Sequence, residues 1–272
     1  MSSIPALKKK LKGITATKKL SAAMKTVSAV KFSRLNSSVK TYKEYAKEFS
    51  FLYDGEEQGS VQDGRQCVIV MASNRGLCGG FNTEVINFAI GEIGKKRDDV
   101  LLVSCGELTE KLLLNKMRKP DKCFKFSDTP KFSECEPLLN YLDELKADGK
   151  ISSVKLIYPE YKNTITQLPK SKILYFKGDI ENVQSDTVYI PDSKTVFDDL
   201  YIKGFRTIIF GAVLETALGA QAATLMTMRS AYDTATDYSE SLEKEIHRKR
   251  QSEVTADVIE TSAEHTSKEE YK

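Results

Sequence analysis

The chain has 272 residues, 40% hydrophobic and 29% charged, with no tryptophan and a formal net charge of +3. This composition fits one large globular domain or two ordinary ones, and excludes collagen-like, disulfide-scaffold and wholly disordered chains. Five cysteines at gaps of 11, 27, 18 and 12 give no Cys-x-x-Cys pair, and the two histidines, His247 and His265, lie close to the C-terminus; a zinc site, a His-rich metal site and a mid-chain histidine triad are excluded.

The charge is unevenly spread. Residues 1–40 hold ten Lys/Arg and no acid, so the arm is +10 and the other 232 residues sum to −7. A basic arm suits a nucleic acid, an anionic membrane or an acidic protein partner. Charge from Lys8 onward and the lack of an apolar core exclude a secretory signal.

The first predicted element is a long N-terminal helix. Ile4, Leu7, Leu11 and Ile14 step by 3 and 4, Leu20, Met24 and Val27 resume after a skip, and Leu35 to Tyr53 continue the stripe until Asp54-Gly55 stops it. About fifty helical residues span roughly 75 Å, longer than one globular core covers.

Short elements follow. Cys67–Ala72 is a predicted strand, and Asn82 or Thr83 caps a helix to about Lys96. Val100–Ser104 is a second strand, Glu107–Met117 a helix, Cys123–Phe126 a weak strand and Ser133–Ala147 a helix. Val154–Tyr158 is a strand, and Thr164–Leu168 with Ile173–Phe176 read as a hairpin around Pro169. This alternation predicts a Rossmann-like, mainly parallel α/β sheet with an antiparallel edge.

The last predicted element is the most regular. Leu214, Leu218, Gln221, Leu225, Met228, Tyr232, Ala235, Ser239, Leu242 and Ile246 alternate steps of 4 and 3, the coiled-coil period. Thr207–Met226 is the nearest approach to a membrane span, but Glu215 and Gln221 interrupt it and the seam accounts for its leucines. The predicted order is a coiled-coil helix over residues 1–54, an α/β domain over 66–205 and a coiled-coil helix over 206–272. The two terminal helices pair only if they run antiparallel from the inserted domain.

Three motifs stand out. Ser73-Asn-Arg-Gly-Leu-Cys-Gly-Gly-Phe-Asn82 joins a strand to a helix, where backbone amides favour anions. It is not a G-x-G-x-x-G loop, no Gly-Lys-Ser/Thr follows and no carboxylate is placed for a ribose, so a tight glycine turn is the better reading. Cys78 lacks a nearby histidine to activate it. Lys18–Lys31 is rich in small residues with spaced lysines, and Arg248–Asp257 is a basic stretch near the end of the last helix.

Together these segments resemble the gamma subunits of F-type ATP synthases over essentially the whole chain. Ile14, Thr17, Lys19, Leu20, Ala23, Met24, Lys25 and Val27 match the family's first motif. Ser73, Arg75, Gly76, Leu77, Cys78 and Gly79 match its turn motif, with Asn74 in place of the usual aspartate. Arg250, Gln251, Val254, Thr255 and Asp257 match the last motif. Ala220 and Thr224 stand where the family commonly has glutamate and arginine, and Ile246-His247 replaces its Tyr-Asn.

The resemblance implies a rotor without catalytic residues, cofactor or metal. It implies that Met24, Lys25, Arg250, Gln251, Thr255 and Asp257 are coupling contacts to the beta subunits. It further implies alpha, beta and epsilon subunits and a membrane c-ring as partners, no nucleic acid, and a peripheral place on the cytoplasmic face of a cell membrane. The first motif begins 13 residues after Met1, which leaves no room for a transit peptide, so a bacterial source is expected. The competing readings are a dinucleotide-binding α/β enzyme with helical extensions and a basic coiled-coil nucleic-acid binder. The second lacks aromatics before Phe32 on which bases would stack.

Overall fold

The computed structural model describes residues 3–49, 65–94, 99–176, 190 and 192–269, with side chains to Ser262 in the last helix. Helix α1 (Ile4–Lys47) is followed by β1 (Arg65–Met71), α2 (Phe81–Ile93), β2 (Leu101–Cys105), α3 (Glu107–Lys116) and β3 (Lys122–Phe124). Then come α4 (Phe132–Ala147), β4 (Ile151–Tyr161), β5 (Gln167–Tyr175) and α5 (Ser193–Glu269). Tyr53, Asp54 and Gly55, the predicted end of the first helix, lie outside the described residues. The last helix starts at Ser193, 13 residues before the predicted boundary at 206, and its early turns carry Phe205 and Ile209 onto the sheet rather than into the seam.

The chain forms two compact units, residues 27–226 and the terminal segments 1–26 with 227–272. In the first unit the strands lie in the order β3-β2-β1-β4-β5, the first four parallel and β5 antiparallel to β4. Strand alternation sends Cys67, Ile69 and Met71 of β1 to one face, with Leu138, Leu139 and Leu142 of α4 and Phe205, Ile209 and Val213 of α5. Val68 and Val70 face the other way, against Val85, Ile86 and Ala89 of α2 and Leu113 of α3. Continuous apolar runs such as Cys67–Met71 follow from a parallel sheet covered on both faces.

The hairpin differs from its sequence reading. β4 and β5 pair from Ser153 opposite Tyr175 to Tyr161 opposite Gln167, and Pro169 faces Pro159 inside the ladder. The turn is at 162–166, where Asn163 Oδ1 accepts the amides of Ile165 and Thr166 at 2.9 and 2.7 Å. Proline is tolerated at 169 because β5 is an edge strand, where a missing N–H breaks no ladder bond that must be made.

The long helices run antiparallel within this unit. Leu35 and Val39 of α1 pack with Leu214 and Leu218 of α5. Tyr42 stacks edge-on to Phe210 with ring centroids 6.4 Å apart, and Lys43 Nζ lies 2.9 Å from Glu215 Oε1. A Cβ on Gly211 would fall 1.9 Å from the Tyr42 hydroxyl oxygen, so only glycine admits that ring. The most apolar window of α5 has a mean hydropathy of 1.5, enough by composition for a membrane span, but 61% of it is buried inside the protein.

In the terminal unit, Leu7 and Ser21 of α1 and Met228, Ala235, Ser239 and Leu242 of α5 are buried. The Lys18 and Lys25 ammoniums lie 5.5 and 4.8 Å from the centroid of the Tyr232 ring. The skip read in the α1 stripe is absent. Lys18, Ser21, Lys25 and Ser28 occupy the 3–4 steps between Ile14 and Phe32, buried or half-buried. Leu20 and Val27 instead are 59% and 54% exposed. Hydrophobicity misplaced the face because the seam there is built from small and long polar side chains, whose aliphatic stems still cover apolar surface.

Candidate functional site

The three motifs do not converge on one pocket. The turn between β1 and α2 meets α5 through Cys78, and its own side chains close it. Asn82 Oδ1 accepts hydrogen bonds from the Ser73 amide and hydroxyl, both at 2.9 Å. Asn82 Nδ2 donates to Arg75 O at 3.2 Å and to Cys78 Sγ at 3.2 Å. Asn82 therefore does not cap α2; the N-cap position is Gly80, without a side-chain bond. Two residues take left-handed backbone angles, Gly79 (φ 60°) and Leu77 (φ 66°). Gly76 does not, so glycine freedom explains only part of the turn. A leucine at positive φ is costly and persists where the surroundings over-determine it. Its side chain stands exposed.

Cys78 is buried against Phe81 and Ala220 of α5, with Ala223 beside them. Burial raises its thiol pKa, opposed by the Ser73 hydroxyl and backbone donors, so the thiol is neutral near pH 7 and its role is packing. A Cβ on Gly219 would lie 3.0 Å from the Phe81 ring, which is the close approach that this turn exploits. Ala220, where the family commonly carries glutamate, is thus a packing residue here. Thr224 Oγ1 donates to Ala220 O at 2.8 Å. Glu84 sits in the first turn of α2, with Oε1 2.9 Å from where a Gly80 Cβ would be. A carboxylate there disfavours a phosphate at that helix end, which weighs against the dinucleotide reading.

Asn74 bridges two neighbours. Its Oδ1 accepts the Glu107 amide at 3.2 Å, and its Nδ2 donates to Phe126 O. An aspartate has no proton to give Phe126 near neutral pH. In the next loop Asp128 receives Lys31 Nζ of α1 at 2.5 Å and Arg75 Nη1 of the turn at 3.6 Å. Glu134 holds that loop from α4, accepting the Ser127 amide at 2.7 Å, the Ser127 hydroxyl at 3.0 Å and the Lys131 amide at 3.1 Å. Sequence reading missed Asp128 and Glu134, and gave Asn82 a capping role in place of its bonds within the turn. Only Glu134 left a signal, a carboxylate three residues into a helix.

Of the residues that the resemblance marks as contacts, Met24 is half-buried and Lys25 lies over Tyr232. Arg250, Gln251, Thr255 and Asp257 are exposed, and Thr255 Oγ1 donates to Gln251 O at 2.8 Å. Of the seam residues, Leu214, Leu218, Met228 and Leu242 are buried, and Leu225, Tyr232 and Ile246 half-buried. Among the described residues no group of three or more His, Cys, Asp or Glu is arranged to hold a metal ion.

The family model described as ATP synthase matches residues 3–263. The chain belongs to the ATP synthase family. Its bacterial relatives named ATP synthase gamma chain include one from Janthinobacterium sp. (strain Marseille), 25% identical over 284 residues, covering 97% of this chain and 98% of that protein. Another, from Pelagibacter ubique (strain HTCC1062), is 28% identical over 283 residues, covering 96% and 97%. Among solved structures, the fold is similar to a chain of the Euglena gracilis mitochondrial ATP synthase rotor, with a TM-score of 0.72 and 14% identity over 92% of this chain and 98% of that one. A chain of the Tetrahymena thermophila central stalk and c-ring gives 0.61 and 18% identity, over 78% and 99%. The similarity in sequence to ATP synthase gamma chains thus covers 96–97% of the chain, and the similarity in fold to the rotor and central-stalk chains 92% and 78% of it.

Proposed function

We propose that this chain is the central-stalk rotor subunit of an F-type ATP synthase, without a catalytic site of its own. It transmits torque between a membrane c-ring and a ring of alpha and beta subunits, coupling ion translocation to ATP synthesis or hydrolysis. The observation that carries this reading is the pair of long uninterrupted helices flanking one sheet domain, matched along nearly the whole chain by gamma-chain relatives. Residues 1–54 and 206–272 form the shaft and residues 66–205 the foot, which rests on the c-ring and binds epsilon. The complex sits on the cytoplasmic face of a cell membrane. The +10 arm suits acidic loops on the surrounding subunits, since opposite surface potentials favour association.

Met24, Arg250, Gln251, Thr255 and Asp257 are the contacts to beta in this reading. Lys25 contributes from within the seam, where its ammonium meets Tyr232. Small residues such as Ala22, Ala23 and Ala29 leave a surface without deep sockets, which suits a shaft that passes three equivalent sites.

Copurification in mild detergent tests the reading: alpha, beta, epsilon and c-ring proteins should accompany the chain, and the isolated chain should not hydrolyse ATP. Turnover that follows the chain through stringent purification, or the absence of those partners, overturns it.

A further inference from the structure

The turn and the loop after β3 form, with the long helices, a closed circuit of contacts inside the unit of residues 27–226. It runs from α1 through Lys31 to Asp128, along the Phe126–Asp128 segment to Asn74, through the turn to Cys78 and Phe81, and so to Gly219 and Ala220 of α5. It closes where Leu35 and Val39 of α1 pack on Leu214 and Leu218 of α5. We infer that Asn74 and Asp128 are positioning residues that lock the sheet domain to both helices at one level, so that a twist applied to the sheet reaches the two helices together.

The chemistry of each link supports this. Asp128 receives cations from two different elements, one on α1 and one on the turn. Asn74 is the one side chain of the turn that accepts from α3 and donates to the β3 loop. Glu134 pins the same loop from α4 through three donors, so the loop is anchored behind Asp128 and a pull on Lys31 is passed to the sheet domain. The wedge of Cys78 and Phe81 against Gly219 and Ala220 leaves the turn no room to slide along α5. Losing one polar link opens the circuit without removing any residue of the sheet core.

The inference rests on the rotor reading, and its consequence is specific to load. When the c-ring turns freely the sheet domain carries little torque. When ion flow opposes rotation the junction is strained, and a locally opened junction yields first, because local openings cost less free energy than global unfolding.

The test uses the full complex in vesicles, comparing ATP hydrolysis with an uncoupler and against an established ion gradient. Asp128→Asn, close in size, should keep uncoupled hydrolysis within about twofold of the parent. Hydrolysis against the gradient should fall at least about threefold further. Exchanging the pair (Lys31→Asp with Asp128→Lys) should restore the loaded rate to within about twofold, since exposed Arg75 can turn to the new carboxylate at 31. Equal scaling of loaded and unloaded rates, or no rescue, overturns the inference.

A second measurement uses the full chain alone. Amide exchange at 74–80 and at 126–129 should speed up together in both Asp128→Asn and Asn74→Asp; independent or unchanged exchange overturns the lock. A parent complex that fails to pump ions would count against the rotor reading, and the exchange result would still decide the lock.

Discussion

Two helical glycines separate conformational cost from close approach. Gly13 of α1 has open space around a would-be Cβ, whereas Gly211 of α5 faces the Tyr42 hydroxyl oxygen at 1.9 Å. Gly13→Ala should raise stability by about 0.5–1 kcal/mol through helix propensity. Gly211→Ala should lower it by about 1–3 kcal/mol through overpacking. Denaturant midpoints of the two variants, shifted in opposite directions, check this pair, and a stabilising Gly211→Ala would mean that Tyr42 does not sit against α5. Glu134 gives a pH signature. Burial pushes its carboxyl upward, but the Ser127 and Lys131 amides, the Ser127 hydroxyl and the Lys131 charge outweigh that and hold it below the usual range. The folded state thus favours the carboxylate, and this contribution is complete above the ordinary glutamate pKa and lost as pH falls through the lower, folded one. Melting temperatures of the parent and of Glu134→Gln should differ near pH 7 and converge as the pH falls below the ordinary glutamate range.

At the scale of elements, the seam is uneven. Leu218 is fully buried among Leu35, Val39 and Leu214, so Leu218→Ala should cost about 2–5 kcal/mol. Leu225 is half-buried, and its truncation should cost clearly less in the same unfolding experiment; equal losses would mean that water is excluded from both positions alike. The helices and the first four strands were legible in the sequence, because alternating β and α patterns and long 3–4 stripes are signals of periodicity, whereas the single strand β5 was read as two strands of a hairpin. Positions failed where a single side chain, and not a period, decides. Pro169 marked a turn on propensity, yet an edge strand accepts it. Asn82 looked like a cap, yet it ties the turn behind it. Leu20 and Val27 looked like seam residues, yet lysine stems and serines fill the seam and leave both exposed. Asp128 was illegible because its meaning lies in Lys31 and Arg75, which only the fold brings to it.

For the whole molecule, the proposed coupling contacts make a paired expectation. Met24 is apolar and flexible, able to slide over several neighbours without a fixed bond. Met24→Lys should leave assembly and ATP hydrolysis largely intact while lowering ATP synthesis per ion translocated, because a charge there pairs with acidic groups in some rotor positions and not in others. Arg250→Ala or Gln251→Ala should lower turnover in both directions. Hydrolysis, synthesis and pumping measured side by side in vesicles decide it, and equal scaling of all three by Met24→Lys would make that residue a plain structural contact.

The two lysines over Tyr232 have a further consequence for the order of melting. In the terminal unit Lys18 and Lys25 of α1 lie over Tyr232 of α5, the buried seam positions include Ser21, Ala235 and Ser239, and cation–π contacts at partly exposed sites contribute only about 0.5–1 kcal/mol each. The terminal helices are therefore zipped weakly, while the sheet unit is closed by leucine, isoleucine and valine on both faces. On gradual heating, helicity from residues 4–26 and 227–269 should fade in an early, shallow phase, and the sheet should then unfold in one steep transition. Raising the ionic strength should leave the steep transition nearly unmoved and shift only the shallow one.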